Sequence, residues 1–265
     1  MVSNHYEVVP PCPSVKTICL CGGYGESSYG KDVIRSITIG LEPGSFTAII
    51  GPNGSGKSTF LKHLIRELKA KEGRIFLCGN DISSMKQRDV ARLIAFEGQN
   101  STCSGDFTVA QIVALGRYAH GDERTSSRKV MDALEKVGIA HLSDKSVTRI
   151  SGGEFQLAML ARAICQDTDI LVLDEPINNL DPKHQRVLMD LLVGLYKEGK
   201  TVVCVLHDIN AALRYCTHCA IVKDGRLFAY GKAMDVITTE NLCNVYGIEA
   251  RMVEDPVSGC SIVVF

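Results

Sequence analysis

The chain has 265 residues, 45% apolar and 22% charged, with a net charge of −1. That balance belongs to an ordinary globular protein with enough chain for a buried core, and it argues against electrostatic capture of nucleic acid or of an anionic membrane. No run approaches the roughly 18 apolar residues that span a bilayer. Met1 to Pro13 is polar and Pro-rich, a flexible lead (1–14) without the positive start and apolar run of a signal peptide. The 11 cysteines are odd in number, the pattern of reduced thiols in a cytoplasm. Cys19 and Cys21 are one close pair. Cys216 and Cys219, flanking His218, form a single C-x-x-C, and a zinc ribbon needs two.

In chain order, Val15 to Gly22 and the alternating Val33 to Leu41 read as strands of an antiparallel unit. Pro43-Gly44 marks a turn, and Ser45 to Ile50 is a strand running into a Gly-rich loop. Thr59 to Leu68 has helical spacing, and strand pattern returns at Arg74 to Cys78. From about 100 to 166 the pattern is mainly helical, with apolar residues three and four apart in Val109 to Leu115 and Lys129 to Val137. Ile170 to Leu173 and Thr201 to Leu206 are continuous apolar runs, as in parallel strands buried on both faces. The helical stretch Pro182 to Glu198 between them completes a strand–helix–strand unit. Residues 236–265 read as a short helix capped by Thr238 and a hairpin turning at Pro256 to Gly259.

Three motifs carry chemistry. The first is Gly51-Pro52-Asn53-Gly54-Ser55-Gly56-Lys57-Ser58-Thr59, which satisfies G-x-x-x-x-G-K-[ST]. Its glycines let backbone N–H groups curl toward phosphate oxygens. Lys57 has the reach for the β- and γ-phosphates, Ser58 offers a hydroxyl to Mg²⁺, and the following helix points its positive end at the same anion. The second is Ile170-Leu-Val-Leu-Asp174-Glu175-Pro176. A buried strand delivers two carboxylates to the sheet's carboxyl edge, where open α/β sheets bind ligands. Asp174 suits Mg²⁺ and Glu175 suits an attacking water. The third is Ser151-Gly152-Gly153-Glu154, ahead of an apolar helix from Phe155 to Cys165. A serine hydroxyl and glycine N–H groups at a helix start make a second anion cradle, which a monomer holding one ATP does not need.

With these motifs in this order, nearly the whole chain resembles the ATP-binding cassette family. The resemblance implies that Ser151, Gly152 and Gly153 form the signature motif, which meets the γ-phosphate of ATP held by the opposite subunit of a head-to-tail dimer. It implies that Gln99 senses Mg²⁺ and touches a membrane partner, that Asp181 in Asn179-Leu-Asp181 crosses the dimer interface, and that His207 in Val205-Leu-His-Asp-Ile contacts the γ-phosphate. An aromatic residue upstream of the phosphate loop stacks on adenine in this family; Tyr24, at the end of the first strand, is favoured, with Tyr29 the alternative.

Thr108-Val-Ala-Gln, Gly116-Arg-Tyr-Ala-His120, Leu180-Asp-Pro-Lys-His-Gln185 and Glu154 after the glycine pair are similar to iron-chelate, haem and cobalamin uptake ATPases. The chain departs from the family pattern at Ile150, at Phe155-Gln-Leu157, at Glu97-Gly98 before Gln99, and at Ile177; none of these removes a catalytic group. The fold expected is α/β. It comprises a P-loop NTPase (RecA-like) core with an antiparallel β subdomain, together spanning 15–98 and 168–235 within an ATPase domain of 15–235. An α-helical signature subdomain is inserted at about 99–167. The function implied is an ATP-hydrolysing subunit of an importer with Mg²⁺ as cofactor. It would sit peripherally on the cytoplasmic face of the membrane, paired with a second copy, permease subunits and a substrate-binding protein, and without nucleic acid. The rival readings are a soluble iron–sulfur assembly cassette and an exporter motor.

Overall fold

The computed structural model describes residues 12–24, 32–99, 105–121, 123–178, 180–256 and 259–265. The described chain opens with β1 (Val15–Gly22), β2 (Ile34–Leu41) and β3 (Phe46–Ile50), then α1 (Lys57–Leu64), β4 (Glu72–Leu77), β5 (Asn80–Asp81), α2 (Gln87–Leu93) and β6 (Ile94–Glu97). Three helices follow: α3 (Val109–Ala114), α4 (Glu123–Lys136) and α5 (Gly152–Cys165). Next come β7 (Ile170–Asp174), α6 (Pro182–Lys197), β8 (Thr201–Val205), α7 (Ile209–Tyr215), β9 (His218–Lys223) and β10 (Arg226–Lys232). The chain closes with α8 (Ala233–Val236), α9 (Thr239–Tyr246), β11 (Arg251–Glu254) and β12 (Ser261–Val264).

Two larger sheets form. One is antiparallel, in the order β2-β1-β4-β5. The other runs β10-β9-β3-β8-β7-β6, parallel from β9 to β6, with β10 antiparallel at its edge. Every residue of β3, β7 and β8 is buried, which is why these strands read as unbroken apolar runs rather than alternations. Successive residues serve opposite faces. Ala48, Ile50, Leu173 and Cys204 join a core shared with α3, α4 and α5, whereas Ile49, Val172, Val203 and Val205 join a core with Phe60, Leu61 and Leu64 of α1.

The parallel register matters most for function. Ile49 stands opposite Val205, Val205 opposite Asp174, and Glu97 opposite Leu173. The exits of β3, β8, β7 and β6 therefore open on one edge, and each exit carries a residue singled out above.

The elements differ from the sequence pattern in instructive places. Helical spacing continues to Leu68, yet α1 ends at Leu64, because Arg66 turns left-handed at φ 60° and the amides of Glu67 and Leu68 fold back onto the Lys62 carbonyl. Gln87 to Glu97, for which the pattern gave no element, forms α2 and β6. Thr238 caps α9 as expected, accepting from the Asn241 amide, and Gly247 closes that helix at φ 70°.

Candidate functional site

The loop between β3 and α1 wraps around its own lysine. Lys57 is buried, and its Nζ donates to the carbonyls of Gly51 (2.8 Å) and Pro52 (3.0 Å). Burial draws the Lys57 ammonium below its ordinary value, while the charges of Glu175 and Asp174 pull it back up. Gly51 is required by space as well as by its φ of 150°: a Cβ there would lie 2.0 Å from the Val222 carbonyl oxygen. Gly56, the residue before α1, holds φ 101° with the Ile34 side chain 2.9 Å from any added Cβ. With Lys57 as its first residue, α1 aims its N-terminal amides into the loop, the arrangement that favours an anion.

Asp174 and Glu175 stand at the end of β7, which β8 separates from β3. Asp174 is 5% exposed and accepts from Ser58 Oγ at 3.1 Å. Burial pushes its carboxyl above the ordinary range, against the Ser58 hydrogen bond; the Glu175 charge raises it further and Lys57 opposes. Glu175 sits at φ 56°, a left-handed conformation uncommon for a side chain of this size. His207 Nε2 lies 2.6 Å from its Oε1, and its Oε2 accepts from the side-chain amides of Gln99 and Asn178. Gln99 after β6, Asn178 on the same loop as Glu175, and His207 after β8 thus converge on one carboxylate.

A cavity of about 520 Å³ opens over this cluster, lined by Asn53, Gly54, Lys57, Glu175 and His207 among others. A second cavity of about 430 Å³ shares Ser58 and Gln99 with it and extends past Lys62 to Tyr24. Tyr24 is 54% exposed, with Lys62 Nζ 5.6 Å from its ring centroid. Tyr29 lies outside the described residues. Ser58, Asp174 and Gln99 offer a hydroxyl, a carboxylate and an amide, hard oxygen donors suited to Mg²⁺, and the buried Asp174 carboxyl gains from a nearby cation. Among the described residues no three His, Cys, Asp or Glu side chains gather as a metal cage, so an ion here would take further ligands from phosphate oxygens or water.

The second cradle stands on α5. Ser151 is its N-cap: Ser151 Oγ accepts from the Glu154 amide (3.3 Å) and Glu154 Oε2 accepts from the Ser151 amide (2.7 Å). Glu154 thus closes a capping box, and that backbone hydrogen bond lowers its pKa. Ser151, Gly152, Gly153 and Glu154 make no hydrogen bond to the 51–59 loop among the described residues. A Cβ on Gly153 would sit 3.4 Å from the His184 ring on α6. Asp181 caps α6, accepting from the His184 amide at 2.9 Å and pairing with His184 Nδ1 at 2.7 Å, and the amide bond lowers its pKa. Asn179 lies outside the described residues.

Two groups at the site had no signal in the sequence. Asn178 reveals its role only through its place one turn after Glu175. Tyr246 of α9 lies near the Gly51 backbone, and burial pushes its phenol up to about 12.

The chain is similar to known proteins. The family model described as ABC transporter matches residues 34–178. The chain is 42% identical to the ferric enterobactin transport ATP-binding protein FepC of Escherichia coli, covering 89% of this chain and 90% of that protein. It is 37% identical to the hemin import ATP-binding protein HmuV of Bordetella pertussis, covering 86% of this chain and 91% of that protein. Among solved structures, it superposes with TM-score 0.74 and 25% identity on a dimeric ATP-binding cassette in a post-hydrolysis state with ADP and Pi, covering 83% of this chain and 98% of that one.

Proposed function

This chain belongs to the ABC transporter family, and from that premise we propose that it is the ATP-binding and ATP-hydrolysing subunit of an importer for an iron chelate, haem or cobalamin. The observation that carries the reading is the convergence of Gln99, Glu175 and His207 over the Lys57–Ser58 loop. The names of the relatives, ferric enterobactin and hemin import proteins, support the cargo class.

In this reading the loop amides and Lys57 hold the β- and γ-phosphates, exchanging the ammonium's carbonyl contacts for phosphate oxygens. Tyr24 stacks on adenine. Ser58, Gln99 and Asp174 would hold Mg²⁺, which would supply charge neutralisation at the phosphates. Glu175 orients a water toward the γ-phosphorus and takes its proton. The bond to the β–γ bridging oxygen breaks, releasing ADP and phosphate, and His207 holds the γ-phosphate side in line. Gln99 and Asn178 fix the Glu175 side chain. Ser151, Gly152 and Gly153, at the start of α5, complete the site of a second copy in a head-to-tail dimer, with Asp181 at the interface. The residue spans 15–98 and 168–235 then form the motor core, with 99–167 as the signature subdomain.

No described helix is long and apolar enough to cross a membrane. The subunit would therefore act peripherally, on the cytoplasmic face, docked to permease subunits that receive cargo from a binding protein. Nucleic acid has no part in it. The test is uptake of labelled iron chelates, haem and cobalamin by cells lacking the gene. One uptake should disappear, return with the wild-type chain and stay absent with Glu175→Gln. Normal uptake of all three together with deficient iron–sulfur enzymes would overturn the proposal in favour of an assembly cassette.

A further inference from the structure

Glu97 ends β6 two residues before Gln99 and is 1% exposed. Its Oε2 accepts from Arg162 Nη2 at 2.7 Å. Arg162 belongs to α5, the helix that Ser151 caps. On the far side of Gly98, Gln99 donates to Glu175. The backbone at Arg162 is held as well. Gly116 of the 115–117 turn packs so closely that a Cβ there would lie 2.3 Å from the Arg162 carbonyl oxygen. The Arg162 side chain also borders the cavity that contains Ser58, Gln99 and Asp174.

Glu97 is buried and Arg162 only partly so, and even a fully buried ion pair is a weak source of stability, since apolar residues of similar size often serve as well. Its directional hydrogen bond instead fixes one element against another. Here the elements are the strand that presents Gln99 and the helix whose start presents Ser151, roughly 16 Å along the axis from Arg162 at 1.5 Å per residue. No other described ion pair joins β6 to α5.

We propose that Glu97 and Arg162 are positioning residues: the pair makes a strut that ties Gln99 to α5, so that the Gln99–Glu175 contact and the Ser151 cradle move as one unit when the ATP dimer closes. This rests on the function proposed above. Neither residue is assigned a nucleotide contact in that reading, although Arg162 borders the cavity. The pair acts through Gln99 at one end and Ser151 at the other.

The test uses the full chain with Glu97→Gln, Glu97→Asp, Arg162→Lys and the double variant Glu97→Gln/Arg162→Gln. Four quantities are read: thermal midpoint, affinity of the monomer for a fluorescent ATP analogue, kcat for phosphate release, and the ATP concentration that drives dimerisation in a Glu175→Gln background. Glu97→Gln should leave monomer affinity within about 2-fold while lowering kcat and raising the ATP needed for closure by roughly 2- to 30-fold, the span of couplings carried by such contacts. Glu97→Asp should recover part of both, because the charge survives. The double variant should lose no more than the single ones, since the strut is broken only once. If Glu97→Gln does not fold, Arg162→Lys, which keeps a cation opposite Glu97, should show the same split in milder form.

Closure and kcat at wild-type values in the variants, with only the thermal midpoint lowered, would reduce the pair to packing and overturn the strut. Failure of the wild-type chain itself to hydrolyse ATP or to close would overturn the underlying function, a different result from wild-type activity with indifferent variants.

Discussion

His207 Nε2 stands 2.6 Å from Glu175 Oε1, so the exits of β8 and β7 meet in one contact above the phosphate loop. The other Glu175 oxygen is taken by Gln99 and Asn178. A carboxylate held from three sides is well aimed, and substituting it should change chemistry more than shape. Glu175→Gln should retain ATP binding and slow phosphate release by roughly 10²- to 10⁴-fold, the usual worth of a general base. ATP should then accumulate a closed dimer, visible by light scattering. Wild-type turnover in this variant would remove Glu175 from the base role.

Lys57 bonds the Gly51 and Pro52 carbonyls at 2.8 and 3.0 Å, and burial disfavours its charge. A triphosphate offers that charge better partners. Lys57→Ala should sharply weaken ATP binding, by about the 1.5–3 kcal/mol of a charged hydrogen bond or more. Calorimetry giving unchanged affinity would contradict the assignment. Folding should suffer little, because a buried cation leaves with its desolvation cost.

How much of this was legible in the sequence follows from how each residue signals. The fully buried β3, β7 and β8 announce themselves as apolar runs, and the loop after β3 carries its own spacing. The β6 strand does not, because its last buried residue is Glu97, whose neutraliser Arg162 lies on a helix far along the chain. The overshoot of α1 has a local cause: Ile65 and Leu68 keep the helical spacing, and only the left-handed Arg66 ends it. The approach of Tyr246 to the Gly51 loop is a tertiary fact with no local pattern. Sequence order placed Glu154 beside the second cradle, but the capping box that gives it a structural task depends on helix geometry.

Asp174 sets stability against function. Burial raises its pKa above the ordinary 3.8. Between that value and the raised one, the folded chain binds more protons than the unfolded chain. Stability therefore falls as pH rises through this window, and the full penalty is present at neutral pH. Asp174→Asn keeps an acceptor for Ser58 Oγ without the charge. It should raise the neutral-pH melting temperature of the nucleotide-free protein by roughly 2–4 °C per kcal/mol recovered, with a smaller gain in acid. The added stabilisation by Mg²⁺-ATP should shrink. Differential scanning calorimetry across pH reads both, and a lower melting temperature at neutral pH would refute the burial argument.

Tyr24 ends the strip of cavity that begins at Ser58. If it supplies the adenine face, Tyr24→Phe should bind ATP nearly as well as wild type, since the ring remains. Tyr24→Ala should lose about 0.5–1.5 kcal/mol, the worth of an aromatic pair, or roughly 2- to 13-fold in affinity. Tripolyphosphate, lacking a base, should bind all three alike. Equal ATP affinity for Tyr24→Ala would move the role to Tyr29.

Ser151 makes the sharpest test, because its hydroxyl already has a task within its own helix. It caps α5 by accepting from the Glu154 amide, so any substitution there costs about 0.5–2 kcal/mol of cap energy. Ser151→Ala removes the cap and the hydroxyl but leaves the glycine amides of the cradle free to approach. Ser151→Arg adds bulk and positive charge where, in the proposed dimer, the cradle must approach the partner's triphosphate. ATP binding to the monomer should be unaffected in both variants, because Lys57, Ser58 and Tyr24 are untouched. Hydrolysis should fall by orders of magnitude with arginine and far less with alanine, since only arginine blocks the approach of the donors that stabilise developing charge. Mixing Ser151→Arg chains with Lys57→Ala chains then separates trans from cis. In the mixed head-to-tail dimer one composite site carries both defects, and the other pairs an intact Lys57 with an intact Ser151. Phosphate release should rise from near zero for either variant alone to a maximum near equal mixing, provided one intact site suffices. A Ser151→Arg chain that hydrolyses ATP at the wild-type rate as a monomer would show that α5 completes no partner site.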